Sequence, residues 1–221
     1  MFDFWWGPEF AAEEWQLLLI FRVIAPVGQY LTCAGCHTAI DDAGEHAVCC
    51  AATGLAKRHN RVRRTLLHLG REAGWNPELE VSLPAPDPPG GSVRPIPADV
   101  VFRTAESKPL AIDVTVVHPL RPSRNIAAGD NTTAAAQAEL AKSANQTCLC
   151  ASAGWSFIPF GMETTGGLGP KASSVFKHMC RNISMRSGEP IADVLGRTSA
   201  SLTVALAKGR AETLCRAFKP F

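Results

Sequence analysis

Four residues of the types that bind zinc lie close together near the start of the chain. Cys33 and Cys36 form a CxxC pair, and His46 and Cys50 follow with three residues between them. A segment this short, with few large apolar residues, cannot build a hydrophobic core of its own, whereas four Cys and His ligands are what tetrahedral Zn²⁺ requires. The spacing therefore predicts a zinc knuckle whose fold depends on the metal.

Two of these ligands have a close alternative. Cys49 stands beside Cys50, and His37 precedes His46; we prefer Cys50 and His46 because their spacing is common in zinc knuckles. The competing interpretation is that the cysteines are reduced and packed as small hydrophobic side chains. The start of the chain, MFDFWWGPEF, carries an acidic residue where a secretory signal carries basic ones. We therefore expect an intracellular protein, in which cysteines stay reduced.

A strongly basic segment, KRHNRVRR, follows the predicted knuckle and lies within a helix predicted from Leu55 to Ala73. The net charge of the whole chain is only +2, so nucleic-acid binding would depend on such local clustering of basic residues. Arginine side chains bind phosphate through paired N–H donors and fix position without reading bases. The alternative is an ordinary solvated helix face. The cations that we expect to contact DNA are Lys57, Arg58, Arg61, Arg63 and Arg64.

Two carboxylates fall in a predicted β-hairpin. Residues 99–103 and 110–117 alternate apolar and polar side chains as strands do, and AESKP joins them. A turn within this linker places Asp99 opposite Thr115, so that Asp99, Asp113 and Thr115 share one face. Two carboxylates on one face are ligands that Mg²⁺ prefers, and such an ion can promote phosphodiester hydrolysis. The alternative is a pair of strand-edge aspartates without a common partner.

The other segments are expected to alternate between strand and helix. They comprise a short strand at residues 80–83, an alanine-rich helix at 131–147, a strand at 155–163, and two helices between 171 and 218 that separate near 188–190. This order predicts an α/β (α+β) fold with a mixed sheet flanked by helices. The expected parts are an N-terminal helical segment at 1–30, the zinc knuckle at 31–54 and the sheet-containing domain at 55–221.

The succession of CxxC, GEHAVCC, RHNRVRR, RPIPADV, AIDVTVVHP and AELAK resembles the C-terminal part of non-LTR retrotransposon proteins. In that family a zinc knuckle precedes a restriction-like endonuclease of the PD-(D/E)xK superfamily. The resemblance covers residues 30–165 and implies a restriction-endonuclease-like fold, structural Zn²⁺, catalytic Mg²⁺ and a nick in target DNA that primes reverse transcription. It further implies a nuclear protein, with element RNA and a reverse transcriptase module as partners beside DNA. No membrane association is expected, because the apolar run from Leu17 to Phe21 is far shorter than the roughly 20 residues that span a bilayer.

Individual residues match the motifs of this family by position. Asp99 resembles the first catalytic aspartate, and Asp113 resembles the second metal-binding acid. Many relatives carry a lysine two residues after the second acid, where this chain has Thr115. In the retrotransposon branch the lysine lies on the following helix, and Lys142 matches that position. These matches imply a Mg²⁺-dependent DNA endonuclease.

Two further acids are assigned smaller roles. Glu80 resembles an upstream acid that some superfamily members add to the metal site. Glu139 precedes Lys142 by three residues on the same helical side, so we expect it to orient the ammonium group or assist the metal. The competing interpretation of the chain as a whole is a catalytically inactive remnant of such a domain. Such a remnant binds nucleic acid but does not cleave it, whichever metal ion is supplied.

Overall fold

The computed structural model of the protein describes residues 32–41, 44–79, 81, 98–103, 108–119 and 133–218. The N-terminal helix expected within residues 1–30 and the side chain of Glu80 lie outside these ranges. The chain divides into two compact units, one formed by Met1–Arg58 together with Leu206–Phe221 and the other by His59–Ala205. Among the described helices, none combines the length and the apolar character that crossing a membrane requires.

Five helices and four strands are found in the described residues, besides a short 3-10 helix at Ala51–Thr53. In chain order they are α1 (Glu45–Cys49), α2 (Leu55–Glu72), β1 (Asn76–Leu79), β2 (Val100–Arg103), β3 (Leu110–Val117), α3 (Ala134–Ser152), β4 (Ser156–Glu163), α4 (Pro170–Ser187) and α5 (Ile191–Ala217). The predicted α+β class, with a mixed sheet flanked by helices, is confirmed.

The first unit does have a hydrophobic core, contrary to what the composition of the knuckle predicts. The end of α5 supplies apolar side chains that the knuckle lacks, and Phe218 packs against them. The backbone N–H of Ala34 also donates to the carbonyl of Ala217 at 2.9 Å. The predicted domain at 55–221 includes residues 206–221, whereas these residues group with the knuckle. The buried members of this core are Cys33, Ile40, Ala47, Val48, Cys50, Leu214 and Ala217.

The second unit is built on one four-stranded sheet in the order β1-β2-β3-β4. The strand β2 runs antiparallel to both of its neighbours, β1 and β3, whereas β3 and β4 are parallel. A parallel pair cannot be joined by a tight turn, and α3 lies between the two strands in the chain. The helix α3 packs against both β3 and β4.

The two faces of this sheet are covered by different helices. On one face the ring of Phe102 is fully buried and lies against Gly70 of α2, where any side chain larger than hydrogen would overlap the ring. On the other face Val101 and Ala111 pack with Cys150 of α3. Because side chains alternate along a strand, residue 113 lies on the same face as Ala111. This places Asp113 beneath α3.

The short strand predicted at 80–83 lies outside the described residues except for Val81, which is not in a strand. The described structure has the strand β1 at Asn76–Leu79. No strand was predicted there, because the pair Asn76-Pro77 is typical of a turn. Because β1 is an edge strand, it tolerates a proline that a central strand would exclude.

The predicted register of the hairpin is wrong by two residues. Val100 pairs with Ile112, and the N–H of Asp99 donates to the carbonyl of Ile112 at 3.0 Å. Continuing this register places Asp99 opposite Asp113 and not opposite Thr115. A shift of two residues leaves every side chain on its predicted face, whereas a shift of one would reverse it. The two aspartates therefore lie closer together than the sequence predicts.

Candidate functional site

The four predicted zinc ligands come together in the first unit. The ligand atoms of Cys33, Cys36, His46 and Cys50 all lie within 4.8 Å of one another, and Cys36 Sγ is 3.1 Å from His46 Nε2. Ligand atoms in a tetrahedral zinc site are about 3.3–3.8 Å apart, given bonds of about 2.0–2.3 Å. Small side-chain movements therefore suffice for this cluster to hold a metal ion such as Zn²⁺.

The local backbone positions these ligands. The carboxylate of Asp41 accepts hydrogen bonds from the N–H groups of Glu45 and His46, at 2.8 and 2.7 Å, and so fixes the start of α1, where His46 lies. Hydrogen bonds with the side chain and backbone of Thr38 lower the pKa of Cys36 to about 6. A lowered pKa favours the thiolate, which is the form that binds metal.

The choice between neighbouring ligands is resolved by this geometry. The cluster contains His46 and Cys50, as the spacing predicts. His37 is exposed and has a positive φ of 61°, and it is not a member of the cluster. Cys49 is not a member either, although it immediately precedes Cys50.

A second cluster of functional groups lies in the second unit and joins Asp99, Asp113 and Lys142. The Lys142 Nζ atom on α3 is 2.6 Å from Oδ2 of Asp113 on β3. Asp99 immediately precedes β2, and its carboxyl group is within hydrogen-bonding contact of the carboxyl group of Asp113. The three residues predicted from separate segments of the sequence therefore converge. Both carboxyl groups are largely buried, at 18% and 12% side-chain exposure for Asp99 and Asp113.

The orientation of Asp99 is set by two donors on one of its oxygens. Oδ2 accepts a hydrogen bond from the backbone N–H of Val114 at 2.7 Å and lies 2.9 Å from Nε2 of His59 on α2. The hydrogen bond with Asp99 raises the pKa of His59, despite the opposing effect of burial. His59 therefore presents an N–H toward this carboxylate.

The two aspartates respond differently to the same surroundings. Burial raises the pKa of Asp113, and the nearby Asp99 raises it further, against the opposing effect of Lys142. Burial acts in the same direction on Asp99, but the hydrogen bonds from His59 and Val114 outweigh it and lower the pKa of Asp99. Two carboxyl groups in contact repel each other when both are ionised, so a cation or a shared proton stabilises this pair.

His59 is a member of this cluster that the sequence analysis missed. Its position in the helix did contain a signal, because His59, Val62, Leu66 and Leu69 recur at the spacing of one helical face. Val62, Leu66 and Leu69 are buried, so that face points into the protein. His59 is the first residue of this buried helical face, so its side chain is directed inward. It was grouped with the neighbouring arginines in the sequence analysis because the whole segment is basic.

No protein-family model matches the chain, and no curated protein matches it.

The predicted DNA-binding set requires one correction. Arg58 is only 3% exposed, its guanidinium donates to the carbonyl of Val48 at 3.0 Å, and burial lowers its pKa to about 10. A guanidinium held in this way supports the first unit and is not available to a phosphate group. The remaining cations of the segment are exposed or half-buried: Lys57, Arg61, Arg63 and Arg64.

The predicted role of Glu139 is wrong. Its carboxylate instead accepts hydrogen bonds from the N–H groups of Gly161, Lys171 and Ala172, at 3.3, 3.0 and 2.8 Å. Lys171 and Ala172 belong to the first turn of α4, whose free N–H groups and partial positive charge attract a carboxylate. Glu139 is only 2% exposed, so it joins α3 to β4 and α4.

We expect Glu139→Gln to destabilise the protein by about 2–3 kcal/mol. The change keeps the volume of the side chain but removes the charge that three N–H groups share, and buried hydrogen bonds to a charged group contribute about 1.5–3 kcal/mol. Urea denaturation would measure the change. The control is Glu78→Gln, which removes an exposed carboxylate paired with Arg103 and should cost less than about 1 kcal/mol. Equal midpoints for the two variants would contradict the capping role.

Proposed function

We propose that the protein is a metal-dependent endonuclease that nicks DNA, as in target-site cleavage by a non-LTR retrotransposon. The observation that carries this proposal is the convergence of Asp99, Asp113 and Lys142, with the lysine ammonium 2.6 Å from one carboxylate and the two carboxyl groups in contact. Such a set of two acids and one cation, partly shielded from water, is typical of phosphodiester hydrolysis assisted by a divalent metal ion.

The arrangement of elements supports a restriction-endonuclease-like core. A helix, three antiparallel strands, a second helix and a fourth strand parallel to the third follow one another from α2 to β4. Asp113 lies on the third strand, and Lys142 lies on the second helix, as the resemblance to the retrotransposon branch implies. A lysine two residues after Asp113 would lie on the same face of β3, and Lys142 approaches that face from α3.

The donor set fits a hard divalent cation. Mg²⁺ prefers carboxylate oxygens and retains several waters, and the neighbouring carboxyl groups of Asp99 and Asp113 provide such oxygens. When bound there, Mg²⁺ would polarise the phosphodiester and lower the pKa of a water molecule. The backbone N–H of Val114, which donates to Oδ2 of Asp99, would hold Asp99 in the orientation for this role.

Lys142 would supply the permanent positive charge. Its side chain is 38% exposed, so its ammonium group is partly accessible to a substrate while bound to Asp113. A fixed cation near the scissile phosphate stabilises the negative charge that develops in the transition state. The helix α3 is the element that determines where this charge lies.

Exposed cations on α2 would hold the DNA backbone. Lys57 and Arg64 are exposed, and Arg61 and Arg63 are half-buried. Contacts of this kind depend strongly on salt, because binding releases counterions from the DNA. The Cys₃His cluster would hold Zn²⁺ as a structural ion and thereby maintain the first unit.

The test is a plasmid-nicking assay with the zinc-loaded full chain in Mg²⁺, in Mn²⁺ and in EDTA. We expect nicking with either divalent ion and none in EDTA. Lys142→Met should reduce the nicking rate about a hundredfold to a thousandfold, because it removes one electrostatic contact to the transition state. Raising the metal concentration should not restore the rate, since the metal ligands are intact.

The matched control is Lys177→Met, which removes an exposed lysine from α4 and should leave the nicking rate unchanged. If the folded wild-type chain shows salt-dependent DNA binding but cleaves DNA in neither Mg²⁺ nor Mn²⁺, the proposal is overturned in favour of a nucleic-acid-binding remnant. If Lys142→Met nicks as fast as the wild type, the assignment of the lysine is wrong.

A further inference from the structure

His59 directs one ring nitrogen at two oxygen atoms of the candidate site. Nε2 lies 2.9 Å from Oδ2 of Asp99 and 3.1 Å from the main-chain oxygen of Val114. Both oxygens are acceptors, and one ring nitrogen carries at most one proton. A single N–H must therefore serve two acceptors. The same nitrogen with its lone pair, together with two oxygens, forms a donor set for a cation.

The two distances from Nε2 match the spacing of neighbouring ligands around a six-coordinate ion. Neighbouring ligands of an octahedral ion with bonds of about 2.1 Å are about 3.0 Å apart. The observed distances from His59 Nε2 to the two oxygens are 2.9 and 3.1 Å. The carboxyl group of Asp113 contacts that of Asp99 and so extends the same cluster. The imidazole is 29% exposed, which shields the cluster without closing it to a substrate.

We propose that His59 is a ligand of the catalytic cation through Nε2, together with Asp99, Asp113 and the main-chain oxygen of Val114. The proton of Nε2 passes to solvent when the ion binds. The inference rests on the proposed metal-dependent nuclease and adds a nitrogen donor to a site that would otherwise consist of oxygens. It also explains why a histidine occupies the buried face of a helix whose neighbouring residues are arginines.

A nitrogen ligand changes which metal ion the site prefers. Imidazole binds first-row transition-metal ions readily, whereas Mg²⁺ favours oxygen ligands. The chain should therefore bind Mn²⁺ at least about tenfold more tightly than Mg²⁺. This preference distinguishes a histidine ligand from a histidine that only donates a hydrogen bond to Asp99.

The test measures Mn²⁺ binding to the zinc-loaded full chain from the electron paramagnetic resonance signal of free Mn²⁺, with Mg²⁺ as a competitor. His59→Gln keeps an N–H donor for Asp99 but lacks the imidazole nitrogen, so it separates ligation from hydrogen bonding. We expect it to weaken Mn²⁺ binding at least about tenfold and to narrow the preference for Mn²⁺ over Mg²⁺. His68→Gln, at an exposed position of the same helix, should change neither.

A second measurement needs no variant and therefore does not depend on how a substitution affects folding. Electron spin-echo modulation of Mn²⁺ bound to the wild-type chain should show coupling to a directly bound nitrogen. Its absence at full Mn²⁺ occupancy would overturn the proposal, as would an unchanged Mn²⁺ affinity in a folded His59→Gln variant. A wild-type chain that neither binds Mn²⁺ nor nicks DNA would instead contradict the proposed function itself.

Discussion

Replacing Asp113 by asparagine should reduce DNA nicking at least about a thousandfold. The substitution keeps the shape of the side chain but removes the charge that faces both Lys142 and Asp99. A divalent ion contributes several kcal/mol to stabilising a phosphoryl transition state, and about 1.4 kcal/mol corresponds to a factor of ten in rate. Losing one of its two carboxylate ligands therefore affects both the affinity for the metal and the chemical step.

DNA binding is the readout that separates this effect from misfolding. Asp113→Asn removes a negative charge, so its affinity for DNA should equal or slightly exceed that of the wild type at the same salt concentration. The control is Asp193→Asn, which changes an exposed acid in the first turn of α5 and should leave nicking unaffected. An Asp113→Asn variant that nicks at the wild-type rate would show that the chemistry lies elsewhere.

Preventing Zn²⁺ from binding to the proposed Cys₃His site should unfold the knuckle. Structural zinc in small domains contributes about 10–16 kcal/mol of apparent binding free energy, which is the free energy that folds them. Cys50→Ser replaces a buried ligand and should abolish stoichiometric zinc binding. Amide hydrogen exchange should then accelerate from Cys33 to Thr53. It should also accelerate near Leu214 and Ala217, because these residues share a core with the knuckle.

Two cysteine variants serve as controls for this experiment. Cys49→Ser changes the neighbour that is not part of the cluster, and Cys148→Ser changes an exposed thiol on α3. Both should retain one zinc ion per chain and the wild-type exchange pattern. If Cys50→Ser retains its zinc while Cys49→Ser loses it, the assignment of the fourth ligand is wrong.

Much of the fold was predictable wherever a local pattern determined an element. The apolar spacing of α2 predicted residues 55–73, and the helix is Leu55–Glu72. The alternation of β3 predicted the strand from Leu110 to Val117. The Gly-Glu-Pro break near residue 189 separated α4 from α5 correctly. These features depend on residues that are neighbours in the chain, so the sequence alone contains them.

Features that depend on distant partners could not be predicted. His59 and Asp99 are 40 residues apart, and no local pattern pairs them. The charge of Glu139 suggested a role beside Lys142, because the sequence does not reveal that the first turn of α4 offers free N–H groups nearby. The burial of Arg58 likewise depends on a carbonyl in another element, Val48. The convergence of Asp113 with Lys142 was predictable only through the resemblance to a known family.

The helix α3 carries, one turn apart, a residue that stabilises the fold and the residue proposed to assist catalysis. Glu139 holds the start of α4, whereas Lys142 reaches Asp113. Because the two side chains have different partners, mutation can remove one without disturbing the other. If the protein is the proposed nuclease, a lineage released from the need to cut DNA would be free to lose the lysine, while selection for a stable fold would retain the glutamate. In evolutionary terms, a folded and inactive descendant of such a nuclease is a single substitution away.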